Sequence, residues 1–183
     1  MKHNSLRIIA LSMTIFSMGV VAAPSNNTIS FQGEVTDETC SLVANGNATS
    51  PIILLPTVST SDLSKSGDTA GATSFEMSVT GCTGSASDSG IDTNISTVFA
   101  GNLVETDNGT LGNTGTAENV TIQILDTKSA PIDLSSTYTA DGDLTLAPGD
   151  TSATATYTAQ YYATGAPTAG TVTASLQYAI SYQ

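Results

Sequence analysis

Apolar and polar side chains alternate along much of this chain, and the longest alternating run is the last one. From residue 170 onward, Val172, Ala174, Leu176, Tyr178, Ile180 and Tyr182 share one parity, while Thr171, Thr173, Ser175, Gln177, Ala179 and Ser181 share the other. A period of two places the two sets on opposite faces of an extended strand. A second run of the same kind stands near the front, in residues 27–36 (NTISFQGEVT). There Ile29, Phe31, Gly33 and Val35 form one face, and Thr28, Ser30, Gln32 and Glu34 form the other.

Between these two runs, strand patterns recur with turn residues separating them. Residues 40–43 continue extended into the turn Asn45-Gly46-Asn47, and the short apolar run 51–55 (PIILL) lies between prolines and reads as a buried strand. Residues 59–72 form a polar connection with one helical turn near Leu63. Phe75, Met77 and Val79 then alternate up to Gly81-Cys82, so this strand is expected to carry the second cysteine. Residues 84–90 read as loop, 95–100 as strand, and 107–115 (DNGTLGNTG) as a turn-rich excursion. Val120, Ile122 and Ile124 alternate, 131–134 reads as a short edge strand, and 138–146 carries the turn Asp141-Gly142. Ala155, Tyr157, Ala159 and Tyr161 form another alternating face. Many short strands at this spacing predict a β-sandwich.

The last strand poses a problem of neighbours. Its strongly apolar face predicts a partner on each side, yet no element follows it in sequence to supply the second. An unpaired edge beside an open core invites association, and β-augmentation by another chain removes the hazard. The run 27–36 has the required chemistry: three large apolar side chains to fill pockets, and Gly33 where the backbone must come close. A head-to-tail contact of this type is heterologous and builds open filaments.

Composition changes the picture at the front end. Lys2 and Arg7 precede a largely apolar stretch from Ile8 to Val21, followed by Ala22 and Ala23. This reads as a secretory signal peptide of residues 1–22, cut after Ala22 or Ala23, rather than as a membrane anchor, because Ser12, Thr14 and Ser17 break the run. The exported chain then has 161 of the 183 residues, enough for one domain, and losing Lys2 and Arg7 takes the formal charge from −12 to −14. Such a surface repels nucleic acid and anionic lipid, so neither nucleic-acid binding nor direct membrane insertion is expected.

Cys40 and Cys82, in an exported chain, are expected to form one disulfide. The single histidine, His3, leaves with the signal segment, which excludes Ser-His and Cys-His catalysis and makes a zinc site untenable. The acids are scattered mostly among turns and there is no tryptophan to form a sugar platform. No enzymatic activity, metal or cofactor is expected. Asp141-Gly142-Asp143 reads as a turn, and the tyrosines at 157, 161, 162, 178 and 182 read as core and groove.

Taken together, ISFQGEVTDETC, FEMSVTGC, AENVTIQILD and AQYYATGAPTAGTVTASLQYAISYQ resemble the major pilins of the chaperone–usher pathway, in particular type 1 fimbrial subunits. The family's terminal signature, a glycine fourteenth from the end and a penultimate tyrosine, falls on Gly170 and Tyr182. The resemblance implies an incomplete immunoglobulin-like β-sandwich lacking its last strand, completed by donor-strand exchange. It implies a donor arm over residues 23–36 with Ile29, Phe31, Gly33 and Val35, and a pilin domain over 37–183. In that domain Gly170, Val172, Leu176, Tyr178, Ile180 and Tyr182 belong to the strand bordering the groove. It further implies neighbouring pilin subunits, a periplasmic chaperone and an outer-membrane usher as partners. The location implied is the fimbria on the cell surface, where the fibre supports adhesion. The alternative is a minor or adaptor pilin, or an adhesin-type sugar-binding module of the same fold. A tip adhesin with a separate receptor-binding domain needs a longer chain.

Overall fold

The computed structural model of the chain describes residues 40–83 and 90–182. The run 27–36, with Ile29, Phe31, Gly33 and Val35, lies outside the described residues, as does most of the loop expected at 84–90. Ten strands occur among the described residues: β1 (Ser41–Ala44), β2 (Thr69–Thr80), β3 (Thr93–Gly101), β4 (Val104–Glu105), β5 (Thr110–Leu111), β6 (Val120–Leu125), β7 (Tyr138–Thr139), β8 (Leu144–Leu146), β9 (Ser152–Ala163) and β10 (Leu176–Tyr182).

They form two antiparallel sheets. One has the order β1-β2-β9-β6-β5-β4; the other has the order β10-β3-β7, with β8 also pairing β3. The long β2–β9 ladder runs from Thr80 opposite Ser152 to Thr69 opposite Tyr162, interrupted by an irregularity between Ala70 and Thr73. Gly71 lies inside that irregularity at φ +68°, and a Cβ there would press on the Tyr161 ring. Only glycine meets both conditions without strain.

The inward faces follow the alternation. Phe75, Met77 and Val79 of β2, Ile95 and Phe99 of β3, and Ala155, Tyr157 and Ala159 of β9 are buried in one cluster with Leu144 and Leu146. At its centre the Phe99 ring meets Tyr157 edge-on at 5.0 Å, and Phe75 stacks on Tyr157 at 5.9 Å. Such offset and edge-on pairs are the arrangements aromatic quadrupoles favour. Strand β6 is buried on both faces, so its polar members need partners. Thr121 accepts from the Thr110 hydroxyl at 2.9 Å, and Gln123 accepts from the Gln160 amide at 2.8 Å.

Turn chemistry also follows the residues. Asn45 and Gly46 both have positive φ, 48° and 74°, and Ala44 and Asn47 exchange reciprocal backbone hydrogen bonds. That is the mirror-image turn which matches strand twist and favours Asn-Gly. Residues Thr60–Leu63 form a 3-10 turn capped by Ser59, with Leu63 buried.

Five expectations require correction. Residues 51–55 are extended but belong to no strand, and instead of a buried run they alternate between half-buried and exposed. Residues 131–134 form no edge strand; a single bridge joins Pro131 to Leu125, and Ile132 and Leu134 are core residues. Cys82 lies just beyond β2 rather than on it. The excursion 107–115 contains β5, whose Thr110 and Leu111 are buried. The final strand begins at Leu176, not at 170. The reason is that the amides of Thr171 and Thr173 donate to side-chain oxygens of Thr116 and Asn113 instead of to a strand. Their carbonyls meanwhile accept from the amides of Ala117 and Thr114.

Candidate assembly cleft

Strand β10 lies at the edge of its sheet, with β3 as its ladder partner. Along 172–182 the sequence alternation becomes an alternation of burial. Val172, Ala174, Leu176, Tyr178, Ile180 and Tyr182 are half-buried against the core cluster, while Thr171, Thr173, Ser175, Gln177 and Ala179 are exposed. A strand facing a closed core would bury the apolar set fully, as β2 does at Phe75, Met77 and Val79. Half-burial of the whole row marks a core with one side open.

Across the opening stands the extended segment 51–55. Its Ile53 and Leu55 turn toward the core and pack on the same cluster. Between the two walls lies a cleft of about 680 Å³, floored by Phe75 and Met77 of β2, Phe99 of β3, Ile122 and Ile124 of β6, and Tyr161 of β9. No charged side chain lines it. Its chemistry is that of a removed piece of hydrophobic core, bounded by β10, a strand at the edge of its sheet, and by the extended segment 51–55. Among the described residues, no group of three or more metal-binding side chains occurs.

Three devices hold the cleft in shape. The first is a close backbone crossing at its upper end. A Cβ on Gly170 would collide with the backbone of Thr116 and Ala117, and a Cβ on Gly115 would collide with the Thr171 carbonyl. The two glycines thus let the 113–117 loop lie directly on the segment leading into β10.

The second is the disulfide between Cys40 and Cys82, with Cα atoms 4.2 Å apart, which joins the start of β1 to the end of β2. The third is Asp143, read from the sequence as part of a turn. Its carboxylate accepts from the Thr97 amide, the Thr97 hydroxyl and the Tyr157 hydroxyl, each at 2.7 Å. It therefore ties the β7–β8 connection to β3 and to β9 of the opposite sheet. Burial pushes the Tyr157 phenol well above its ordinary value, and the hydrogen bond to Asp143 pushes it further. No local signal in the sequence distinguishes Asp143 from Asp141, because the distinction depends on which of them faces Thr97.

Of the residues assigned from the sequence, Val172, Leu176 and Tyr178 line one wall of the cleft. Ile180 and Tyr182 pack on the core cluster farther along β10, and Gly170 sits at the crossing with the 113–117 loop; none of these three lines the cleft. The opposite wall, Ile53 and Leu55, and the floor residues Phe99 and Tyr161 had not been assigned to it. The two-residue spacing of Ile53 and Leu55 was the available signal, hidden because Ile52 and Leu54 between them are equally apolar.

Residues 29–183 match a family described as Fimbrial protein. The chain belongs to the fimbrial protein family. It is 37% identical over 179 residues to the F17 fimbrial protein of Escherichia coli, covering 92% of this chain and 97% of that one. It is 34% identical over 174 residues to the major fimbrial subunit SMF-1 of Stenotrophomonas maltophilia (strain K279a), covering 89% and 96%. In fold it is similar to the P pilus rod subunit PapA, with a TM-score of 0.60 at 18% identity over 79% of this chain and 99% of that one. It is equally similar to a subunit of a solved chaperone–usher pilus, with a TM-score of 0.59 at 19% identity over 89% and 99%. The protein is thus a structural fimbrial subunit with an immunoglobulin-like sandwich. It assembles with other pilin subunits into a surface pilus.

Proposed function

We propose that this pilin polymerises by placing residues 23–36 of one copy in the cleft of the next. Ile29, Phe31 and Val35 enter the apolar cleft, and Gly33 passes where the backbone lies closest. What supports this reading is the cleft itself: uncharged, apolar, and walled by the half-buried row Val172–Tyr178 and by residues 51–55. Burying Ile29, Phe31 and Val35 at about 1.5–3 kcal/mol each contributes roughly 5–9 kcal/mol before backbone pairing and ordering costs. The arm's polar face, Thr28, Ser30, Gln32 and Glu34, then remains in solvent.

Residues 1–22 direct export and are removed after Ala22 or Ala23. Before polymerisation a periplasmic chaperone lends a strand to the cleft, in contact with Gly170, Val172, Leu176, Tyr178, Ile180 and Tyr182. An outer-membrane usher exchanges it for the arm of the incoming copy. The role is mechanical rather than enzymatic.

The test is to fuse a second copy of residues 27–36 after Gln183 through a short flexible linker. The expected product is a soluble, chaperone-independent monomer that no longer joins fibres. A fused chain that still requires the chaperone and still polymerises would overturn the reading.

A further inference from the structure

We propose that Asn45 is a site of spontaneous modification by water, its side-chain amide turning into aspartate and isoaspartate in the assembled fibre. Asparagine followed by glycine is the pair most prone to this change, because a glycine leaves its own amide nitrogen free to turn onto the preceding side chain. The chain has two such pairs, Asn45-Gly46 and Asn108-Gly109. Asn45, Gly46 and Asn47 are all exposed, and nothing lies within 4 Å of where a Gly46 Cβ would stand. Backbone hydrogen bonds hold the turn at Ala44, Asn45 and Asn47, but among the described residues none holds the Gly46 amide. Asn108-Gly109 is clamped instead. Gly109 is buried with Asp133 filling the space beside its Cα, and its carbonyl accepts from the Leu134 amide at 2.9 Å. The Asn108 side-chain oxygen accepts from the Tyr162 hydroxyl at 3.4 Å. Ring closure there requires the 131–134 segment to move away first.

The Gly46 nitrogen attacks Cγ of Asn45. An N–Cγ bond forms, the Cγ–Nδ2 bond breaks, and Nδ2 leaves as ammonia with the proton that the Gly46 amide gives up. Water then opens the cyclic imide. Attack at Cγ gives aspartate, and attack at the main-chain carbonyl carbon of residue 45 gives isoaspartate, with an extra carbon in the backbone. Water is the co-reactant, and nothing is oxidised or reduced. Either product carries a carboxylate where an uncharged amide stood. The Asn45 amide donates to the Glu76 carbonyl at 2.7 Å, so the two exposed residues lie side by side at the end of the β1–β2 ladder. The new charge therefore arises beside that of Glu76, and like charges placed opposite each other in a strand pair repel. Ala44, the preceding residue, lines the cleft. The reaction itself needs no occupant in the cleft.

The test uses assembled fibres, kept in warm, mildly alkaline buffer made with heavy-oxygen water, then digested in ordinary water and read by mass spectrometry. Heavy oxygen is expected to enter the peptide spanning residues 43–49 about tenfold faster than the peptide spanning 106–112, equivalent to about 1.4 kcal/mol. Electron-transfer fragmentation is expected to find both aspartate and isoaspartate at position 45. In the reduced, denatured chain the clamp on Gly109 is gone, and the two rates are expected to converge. Asn45→Gln should abolish uptake in the first peptide, because glutamine closes the larger ring far more slowly. Equal rates in the fibre, or no uptake at Asn45 over a period in which the denatured chain converts, would overturn the proposal. So would uptake that persists in Asn45→Gln. A ratio that survives denaturation would also overturn it, since neighbouring sequence rather than the fold would then set the difference.

Discussion

The phenol oxygen of Tyr182 accepts a hydrogen bond of 3.0 Å from the backbone amide of Cys40, across 142 residues of chain. It links the end of β10, in one sheet, to the disulfide corner where β1 and β2 of the other sheet begin and end. The penultimate tyrosine thus closes the sandwich at the end where its two halves meet. Tyr182→Phe keeps the ring and removes the acceptor. The expected cost is about 1 kcal/mol, with faster hydrogen exchange at the peptide containing Cys40. Unchanged exchange would show the contact to be energetically idle.

The disulfide acts at the same corner. Cys40 and Cys82 are separated by 42 positions, a closure for which the chain-entropy account gives about 4 kcal/mol, with the mechanism model-dependent. Cys40→Ser with Cys82→Ser is expected to lower the amount of chaperone-bound subunit several-fold, measured by immunoblot of the periplasm. Equal levels would show that the bridge is dispensable.

Gly115 and Gly170 face each other's chain segments so closely that neither tolerates a Cβ. Gly170→Ala must displace the 113–117 loop or the approach to β10, and overpacking of this kind costs about 1–3 kcal/mol. Because this crossing lies at the upper end of the cleft, fibre yield is expected to fall further than subunit level. Thermal unfolding and fibre yield, measured together, separate the two effects.

Asp143 receives three short hydrogen bonds that join both sheets. Asp143→Ala leaves the Thr97 and Tyr157 donors without that acceptor, at a cost of roughly 1–3 kcal/mol. Denaturant midpoints of the variant against the parent check this, and an unchanged midpoint would deny the staple its role.

The Tyr157 phenol carries the pH dependence. Its folded value lies above the ordinary 10.0, first through burial and then through Asp143. Unfolded, a tyrosine loses its proton near pH 10. Above that pH the folded state binds more protons than the unfolded state, so stability falls as pH rises. Below it, the contribution of Tyr157 is fully present. Burial raises Tyr138 in the same direction. Denaturant unfolding from about pH 8 to about pH 11 should show a decline that begins near pH 10 and is shallower in Tyr157→Phe.

Much of the fold was legible because a strand half-buried on one face writes its orientation into the sequence. Val172 to Tyr182, Phe75 to Val79 and Ala155 to Tyr161 all kept the faces their alternation predicts. The signal failed where both faces are apolar, as in Ile52-Ile53-Leu54-Leu55, since periodicity cannot tell a buried run from a wall with one exposed side. It failed again at residues 170–175, where the pattern is that of a strand but the amides go to Thr116 and Asn113.

The sequence by itself determined an all-β sandwich, an apolar row at its end and a cysteine pair available for one bridge, because period, turn residues and composition are local properties. Only the tertiary structure decided that segment 51–55 forms the second wall of a cleft, that Asp143 rather than Asp141 joins the sheets, and that Gly115 sits against the chain beside Gly170. Those outcomes depend on which distant segments come into contact, and packing across the sandwich, not sequence spacing, selects them.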